Sequence, residues 1–254
     1  SLTVGGPAFE HAVELAKANP GLSVGLHTVL VQGKSVLPHK RIPSLVDRDN
    51  NFTNNPVLAG LKYFLSPTAV REIRDELKAQ MERFLSTGLR LDFINGHLNL
   101  HVHPRVFEII LELAKGLEAK NFRLPRDGLF CTLRCDSSRI ISKLFHHITF
   151  TILSRRCIGA LRGSGFRFTD RVYGLLQSGN MNAGFVASLI RNMSQGTNEV
   201  YFHPCIMPCT EYSRWMPDYH PEEELNALTS RGISELLRAN SIRLANYNVL
   251  SEKS

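Results

Sequence analysis

Histidines recur in this sequence where the chain is expected to leave a β-strand. Three segments that have the pattern of strands each lead to one: Leu22–Leu26 precedes His27, Leu89–Asn95 leads through Gly96 to His97, and Glu199–Phe202 precedes His203. Side chains at the carboxyl ends of parallel strands gather at one edge of a sheet. Neutral imidazole is a common ligand for zinc and related divalent ions. We therefore predict a metal-dependent hydrolase whose ligands include His27 and histidines of the stretch His97–His103.

The densest group of histidines lies between Asn95 and Pro104. Polar and apolar residues alternate there, and the polar set is His97, Asn99, His101 and His103. An extended chain would place three imidazoles on one face and only apolar side chains on the other. A histidine-rich loop after a strand, without a ligand role, is the alternative interpretation.

Other catalytic chemistries lack their sequence motifs. The chain contains no Gly-x-x-x-x-Gly-Lys phosphate loop, no Gly-x-Gly-x-x-Gly dinucleotide turn and no Gly-x-Ser-x-Gly nucleophile elbow. Phosphoryl transfer, hydride transfer and serine hydrolysis are therefore disfavoured. Metal-activated water is the chemistry that remains.

The cysteines favour a reducing compartment. Five cysteines are an odd number for a chain of 254 residues, which favours reduced thiols in a cytoplasm over a disulfide framework. Two pairs share a four-residue step, Cys131 with Cys135 and Cys205 with Cys209, and four such thiolates could bind zinc. Isolated thiols are the more common outcome for this spacing.

Apolar periodicity predicts alternating strands and helices along the chain. Ser66 before Pro67 is a helix N-cap with a favoured first residue, and the apolar positions that follow recur at helical spacing up to Gly88. The other predicted helices are 7–19, 104–120, 182–193, 222–228 and 232–239, the other predicted strands are 122–125, 171–176 and 242–245, and a long loop follows His27. This order is typical of an α/β domain with a mainly parallel sheet, in an open or irregular barrel.

The formal charge of +7 favours an anionic neighbour, such as a phosphate, a nucleic acid or a membrane surface, without choosing among them. Basic residues are concentrated between Arg134 and Arg171, where they flank an apolar stretch that is interrupted too often by charges to span a membrane. A membrane-surface segment would show this mixture. A core-packing helix with a basic outer face is the more common explanation.

The order and spacing of five motifs resemble the YdjC-type carbohydrate deacetylases over nearly the whole chain. The matching segments are Gly6–Phe9, Val24–His27, Asn95–Pro104, Glu199–Pro204 and Glu224–Thr229. Within that family, the hopanoid-biosynthesis branch called HpnK, which is implicated in deacetylating an N-acetylglucosaminyl lipid, is the most similar, on the basis of Val4–Pro7, Leu30–Gly33, Leu37-Pro38 and Leu91–His97.

The resemblance implies a fold, an activity and a set of site residues. The fold is an α/β, irregular (β/α) barrel of the polysaccharide-deacetylase type, and the activity is hydrolysis of the acetamide of an N-acetylglucosamine-containing substrate. By position, His27 and His97 resemble two metal-binding histidines that share one divalent cation, Mg²⁺ or Zn²⁺. His203 resembles the histidine near the scissile amide, and His101 matches a further family histidine.

The sequence departs from the family pattern in two places. Asn95-Gly96 replaces an Asp-Ser pair before the second ligand, which should alter the surroundings of that ligand rather than remove it. The family's opening strand, whose Asp-Asp motif supplies a metal ligand and the catalytic base, has no counterpart from Ser1 onward. We therefore expect residues 1–254 to form a single deacetylase domain that lacks its first strand and helix.

Asp92 and Arg123 are further candidates for orienting substrate or ligand, although surface ion pairing explains them equally well. Two other functions remain open: a different metal hydrolase such as a phosphoesterase, and a non-catalytic sugar- or lipid-binding remnant. For the deacetylase we expect an amino-sugar substrate that is free or lipid-linked, a cytoplasmic location with contact at the inner membrane face, no nucleic-acid partner, and either a monomer or a homodimer.

Overall fold

The computed structural model describes residues 1–117, 119, 121–207 and 216–251. The chain divides into two compact units. Unit 1 contains Ser1–Arg123, Arg155–Phe168 and Asn246–Ser254, and unit 2 contains Leu124–Ser154 and Thr169–Ala245. Nothing in the apolar pattern of the sequence predicts this division into two units. The single deacetylase domain over residues 1–254 stays a prediction.

Unit 1 is built on a short parallel sheet. Its strands are β1 (Leu26–Thr28), β2 (Phe93–Gly96) and β3 (Asn121–Phe122), in the order β1-β2-β3. The register pairs His27 with Asn95, and Thr28 with Gly96. The mixed α/β class with parallel strands is therefore confirmed, although each strand is shorter than the sequence predicted.

The described part of unit 1 contains four complete α-helices. They are α1 (Phe9–Ala18), α2 (Pro56–Leu65), α3 (Pro67–Leu85) and α4 (Pro104–Leu113). The Ser66 side chain accepts a hydrogen bond from the amide of Ala69, as its N-cap position predicts. Helix α2 was not expected, since its segment was assigned to the long loop.

Buried polar side chains of α3 hold the loop that follows β1. Glu76 accepts hydrogen bonds from the amides of Val36 and Leu37 at 2.8 and 2.9 Å. Gln80 accepts from the amide of Val29 at 3.0 Å and donates to its carbonyl at 2.8 Å. Because buried backbone groups need partners, these contacts fix the path of the chain just after His27.

Unit 2 contains a second parallel pair of strands, β4 (Arg171–Tyr173) and β5 (Asn198–Val200). Its helices include α5 (Leu129–Cys135), α7 (Ala183–Asn192), α8 (Pro221–Thr229) and α9 (Arg231–Ala239). Its buried cluster consists of Tyr173, Met181, Phe185, Val186, Leu189, Ile190 and Ala227. The strand predicted at 242–245 is wrong, because those residues adopt neither helix nor strand.

A long helix, α6 (Ile140–Gly163), contains residues of both units. Six large apolar side chains between positions 140 and 152 of this helix are exposed: Ile140, Ile141, Leu144, Phe145, Ile148 and Ile152. Lys143 is buried instead, and its Nζ donates to Asp136 Oδ2 at 3.0 Å. The core-packing interpretation of this segment therefore fits Cys157 and Leu161, which are buried, but not the first half of the helix.

None of the helices among the described residues is both long enough and apolar enough to cross a membrane.

Candidate metal centre

Two of the predicted ligands, His27 and His97, lie side by side in unit 1. His97 directly follows β2, whereas His27 lies inside β1 rather than after it, which corrects the predicted strand end. The two ring centroids are 5.8 Å apart and the rings meet edge to face at 70°. Two imidazoles that share a tetrahedral ion at about 2.1 Å per bond have ring centres roughly 5 Å apart. The pair therefore lies within reach of a common cation after a small adjustment.

In each histidine of the pair, Nε2 has no hydrogen-bond partner among the described residues. His27 Nδ1 lies 2.8 Å from the side-chain amide of Asn95, so the amide occupies that nitrogen and leaves Nε2. His97 Nε2 is buried and has no hydrogen-bond partner among the described residues. A buried nitrogen without a partner is costly. A bound cation would satisfy it, so the residues present fit a metal site.

Burial keeps both imidazoles neutral. It lowers the pKa of His97 to about 4. The pKa of His27 also falls well below its ordinary value, first because of burial and then because of the neighbouring His97, with Arg123 adding to the effect. Neutral imidazole is the form that binds metal ions. The site is therefore prepared for a cation at neutral pH.

The close approach of β1 and β2 requires glycine at position 96. A Cβ there would lie 2.6 Å from Thr28 Oγ1 and 3.0 Å from His101 Cβ. Thr28 Oγ1 also donates to the carbonyl of Asn95 at 3.0 Å. This packing sets the direction in which the chain leaves β2, and hence the position of His97.

The alternating pattern of residues 97–103 does not form an extended strand. Residues His97–Val102 form a 3₁₀ turn, in which Leu98 and Asn99 have left-handed backbone angles with φ of 49° and 56°. The expectation of three imidazoles on one face is therefore wrong. The alternative interpretation, a histidine-rich turn after a strand, describes this segment better.

The other two histidines of the turn have structural contacts. His101 is fully buried, and its Nε2 donates to the carbonyl of Arg123 at 2.8 Å. Burial lowers the pKa of His101 to about 3. His103 donates from Nε2 to the carbonyl of Gly60 at 3.1 Å and packs edge to face on Tyr63.

The remaining site candidates differ in where they lie. Arg123 follows β3 and reaches the Asn95 amide. Asp92 precedes β2, at the opposite end of the strands, where its carboxylate accepts from the amide of Val24 at 3.0 Å and pairs with Arg90 at 2.6 Å. The structure thus brings Arg123, but not Asp92, to the histidine pair.

His203 belongs to unit 2, three residues after β5. Its backbone amide donates to the buried carboxylate of Glu224. Its ring contacts Tyr201 and Tyr219 edge to face, with centroid distances of 5.5 and 5.3 Å. These contacts fix the ring within its own unit, and its catalytic role stays a prediction.

The cysteines do not form the zinc site considered from their spacing, as far as they are described. Cys131 and Cys135 form no disulfide with any described residue, the Cys205 thiol donates to the carbonyl of Ile206 at 3.4 Å, and Cys209 lies outside the described residues. Burial raises the pKa of Cys131 to about 11, which disfavours the thiolate that zinc needs. Within the described ranges, no group of three or more His, Cys, Asp or Glu side chains converges on one metal position.

Sequence reasoning missed the polar contacts that support the site. Glu72, Glu76 and Gln80 recur every four residues on the same face of α3 as Ile73 and Leu77. That spacing predicts that these polar side chains lie on the buried face of the helix, where they need hydrogen-bond partners. Their partners lie about 30 to 50 residues away and could not be named.

Parallel strands that carry a pair of neutral imidazoles at their carboxyl ends define an α/β protein with a candidate metal centre. A family model described as "YdjC-like protein" matches residues 1–239. The chain belongs to the YdjC-like family.

Relatives of the chain include carbohydrate deacetylases. One from Brevibacillus brevis is 40% identical over 125 residues, which make up 49% of this chain and 45% of that protein. Another from Vibrio parahaemolyticus is 27% identical over 254 residues, or 100% of this chain and 85% of that protein. The chain spans less than half the length of the Brevibacillus brevis relative that it matches.

A solved structure shares the fold. It is a crystal structure of an Enterococcus faecalis protein with a proposed role in cellobiose-phosphate cleavage, and its TM-score with this chain is 0.72. The sequences are 24% identical, and the match covers 98% of this chain and 86% of that one. The likeness concerns the fold alone.

Proposed function

We propose that this chain supplies the histidine ligands of a metal-dependent N-deacetylase that acts on an N-acetylated amino sugar. The observation that carries the proposal is the pair of neutral imidazoles at His27 and His97, together with the buried Nε2 of His97, which has no partner in the part of the chain that the structure describes. Similarity to carbohydrate deacetylases supports the reaction class.

In this proposal His27 and His97 hold one divalent cation through Nε2. Zn²⁺ suits two imidazoles better than Mg²⁺, which prefers oxygen ligands. When bound, the cation supplies Lewis acidity, which polarises an amide carbonyl and makes water more acidic. The resemblance implies that a carboxylate completes the ligand set and that a second carboxylate is the general base.

The proposed reaction hydrolyses an acetamide. The oxygen of water bonds to the carbonyl carbon, the C–N bond breaks, and the nitrogen takes up a proton, which yields acetate and a free amine. His203 is the proposed donor of that proton. Asn95 and Arg123 orient His27, and His101 anchors the turn that carries His97.

A lipid-linked substrate, such as a glycosylated hopanoid, is the finer form of the proposal. Helix α2 exposes a strip of apolar side chains: Val57, Leu58, Leu61, Phe64 and Leu65. Phe64 packs edge to face on His103, at the end of the histidine turn, with centroids 6.3 Å apart. An exposed apolar strip beside a polar site suits a ligand with a sugar head and an apolar body.

Contact with an anionic membrane surface from the cytoplasmic side is part of the same proposal. Two exposed arginines, Arg155 and Arg156, follow the exposed Ile152 along α6, whereas the buried Lys143 cannot take part. A basic residue near such a surface contributes about 1 kcal/mol, and salt weakens that attraction.

Co-sedimentation with anionic vesicles tests this contact. We expect binding at low salt, release at high salt, and loss of binding in the double variant Arg155→Glu, Arg156→Glu. The matched control is Arg41→Glu, Arg48→Glu, which reverses two exposed arginines elsewhere. Wild type that ignores the vesicles, or equal sedimentation of both double variants, would exclude this surface.

Acetate release from N-acetylglucosamine-containing substrates tests the deacetylase activity. The protein with residues 1–254 is compared with a form that also carries any residues encoded before Ser1. We expect turnover from the form that holds both the histidine ligands and the general base, and a rate about 10²–10⁴ lower without the base. His97→Ala should abolish turnover, and His146→Ala, at an exposed helix position, should preserve it. A metal-loaded longer form that releases phosphate from sugar phosphates but no acetate would contradict the proposal.

A further inference from the structure

Asn95 is buried among four polar neighbours: the His27 ring, the carbonyl of Leu26, the guanidinium of Arg123 and, farther away at 3.4 Å from Nδ2, the Ser1 hydroxyl. Its amide can be oriented in two ways that occupy the same space. With Oδ1 toward His27, that oxygen accepts from Nδ1 at 2.8 Å. The same oxygen then faces the Leu26 carbonyl at 3.2 Å, and Nδ2 faces a guanidinium nitrogen at 2.8 Å. In this orientation one acceptor faces another acceptor at Oδ1, and one donor faces another donor at Nδ2.

The reverse orientation satisfies the three nearer neighbours, whereas the Ser1 hydroxyl can donate or accept and therefore fits either orientation. Nδ2 donates to the Leu26 carbonyl at 3.2 Å and to His27 Nδ1 at 2.8 Å, while Oδ1 accepts from Arg123 at 2.8 Å. A guanidinium can only donate, and a backbone carbonyl can only accept. The Leu26 carbonyl and the Arg123 guanidinium have fixed roles, so they determine the orientation of the Asn95 amide. The His27 imidazole can accept or donate at Nδ1, and its protonation follows that orientation.

His27 adapts through its tautomer. A ring nitrogen that accepts a hydrogen bond carries no proton, so the single proton of the neutral ring then resides on Nε2. Nε2 is the atom whose lone pair a shared cation would use. The arrangement that satisfies Asn95 is thus the one in which His27 cannot be a ligand.

We propose that Asn95 and Arg123 act as positioning residues that hold metal-free His27 in its Nε2-protonated tautomer, so that cation binding requires the Asn95 amide to turn over. The ring gives the Nε2 proton to water and takes a proton from water at Nδ1, so its charge does not change. Nδ1–H then donates to Asn95 Oδ1. The inference rests on the proposed function only in taking His27 as a ligand.

The tautomer can be measured directly in ¹⁵N-histidine-labelled protein by long-range ¹H–¹⁵N correlation. We expect metal-free wild type to carry the His27 proton on Nε2, and zinc-loaded protein to carry it on Nδ1. Asn95→Asp replaces the donor with a carboxylate that can only accept, so His27 should be protonated at Nδ1 even without metal. Nδ1 protonation in metal-free wild type would overturn the proposal, and this measurement needs no variant to fold.

Zinc affinity provides a second readout. Asn95→Asp should bind zinc at least ~10-fold more tightly than wild type, the lower end of effects seen for partners of metal-binding histidines. Asn99→Asp is the matched control, because it adds the same charge in the adjacent turn and leaves Asn95 intact. An equal increase in zinc affinity in both variants would mean that the added negative charge alone strengthens binding, which would overturn the proposal. Absence of zinc binding in every form would contradict the proposed function, while the metal-free tautomer would still decide this inference.

Discussion

Acidification should destabilise the protein through His101. This side chain is fully buried, and its Nε2 donates to the Arg123 carbonyl at 2.8 Å. Burial lowers its pKa to about 3, whereas an unfolded chain titrates histidine near ~6.5. Between those values the unfolded chain binds a proton at this position and the folded chain does not.

The sign and size of the effect follow from that difference. The stability contributed by neutral His101 is fully present above pH ~6.5 and is lost as the pH falls toward the folded pKa. Each pH unit in this window corresponds to about 1.4 kcal/mol. Lowering the pH from 6.5 to 5 should therefore remove roughly 2 kcal/mol of unfolding free energy through His101 alone.

Urea unfolding between pH 5 and 7, with a chelator present, measures this slope. His101→Gln keeps an amide donor but does not titrate, so its stability should fall less on acidification. The difference in unfolding free energy between wild type and this variant should shrink by roughly 2 kcal/mol between pH 6.5 and pH 5. His146→Gln, at an exposed position of α6, should follow the wild-type profile. Parallel profiles for wild type and His101→Gln would refute the assignment of His101 as a buried neutral residue.

Two substitutions test how the strands and the long loop are held. Glu76→Ala removes the acceptor of two backbone amides, so urea unfolding should show a loss of about 2–5 kcal/mol, and a loss below ~1 kcal/mol would contradict this role. Gly25→Ala places a Cβ 2.5 Å from the Phe93 carbonyl oxygen and should lower the thermal midpoint markedly. Gly21→Ala, whose Cβ would meet no neighbouring atom, should leave that midpoint nearly unchanged, and equal midpoints for the two variants would contradict the packing described here.

Helix starts illustrate how far local sequence signals reach. Ser66 before Pro67 predicted the start of α3, and the Ser66 side chain does cap that helix. Asn55 before Pro56 is the same kind of signal, and its side chain accepts from two amides at the start of α2. It was assigned to a turn, because Asn-Pro pairs occur in both settings and the following residues lack a polar face.

The histidine turn shows where local reasoning fails. Alternation of polar and apolar residues from His97 to His103 predicts a strand, yet Leu98 and Asn99 adopt left-handed backbone angles. The reason lies in long-range contacts, since His101 must reach the Arg123 carbonyl and His103 the carbonyl of Gly60. In contrast, the neighbourhood of His27 and His97 follows from strand order, because adjacent parallel strands end at one edge.

The central claim is that His27 and His97 bind one cation. Calorimetric titration of metal-free protein with Zn²⁺ measures the stoichiometry and the affinity of binding. The proteins compared are wild type, His27→Ala, His97→Ala and the control His146→Ala. The account predicts one ion per chain in wild type and in the control, with affinity reduced by well over ~10-fold in either ligand variant, since even partners of ligands contribute that much. Unchanged affinity in both ligand variants would contradict the account.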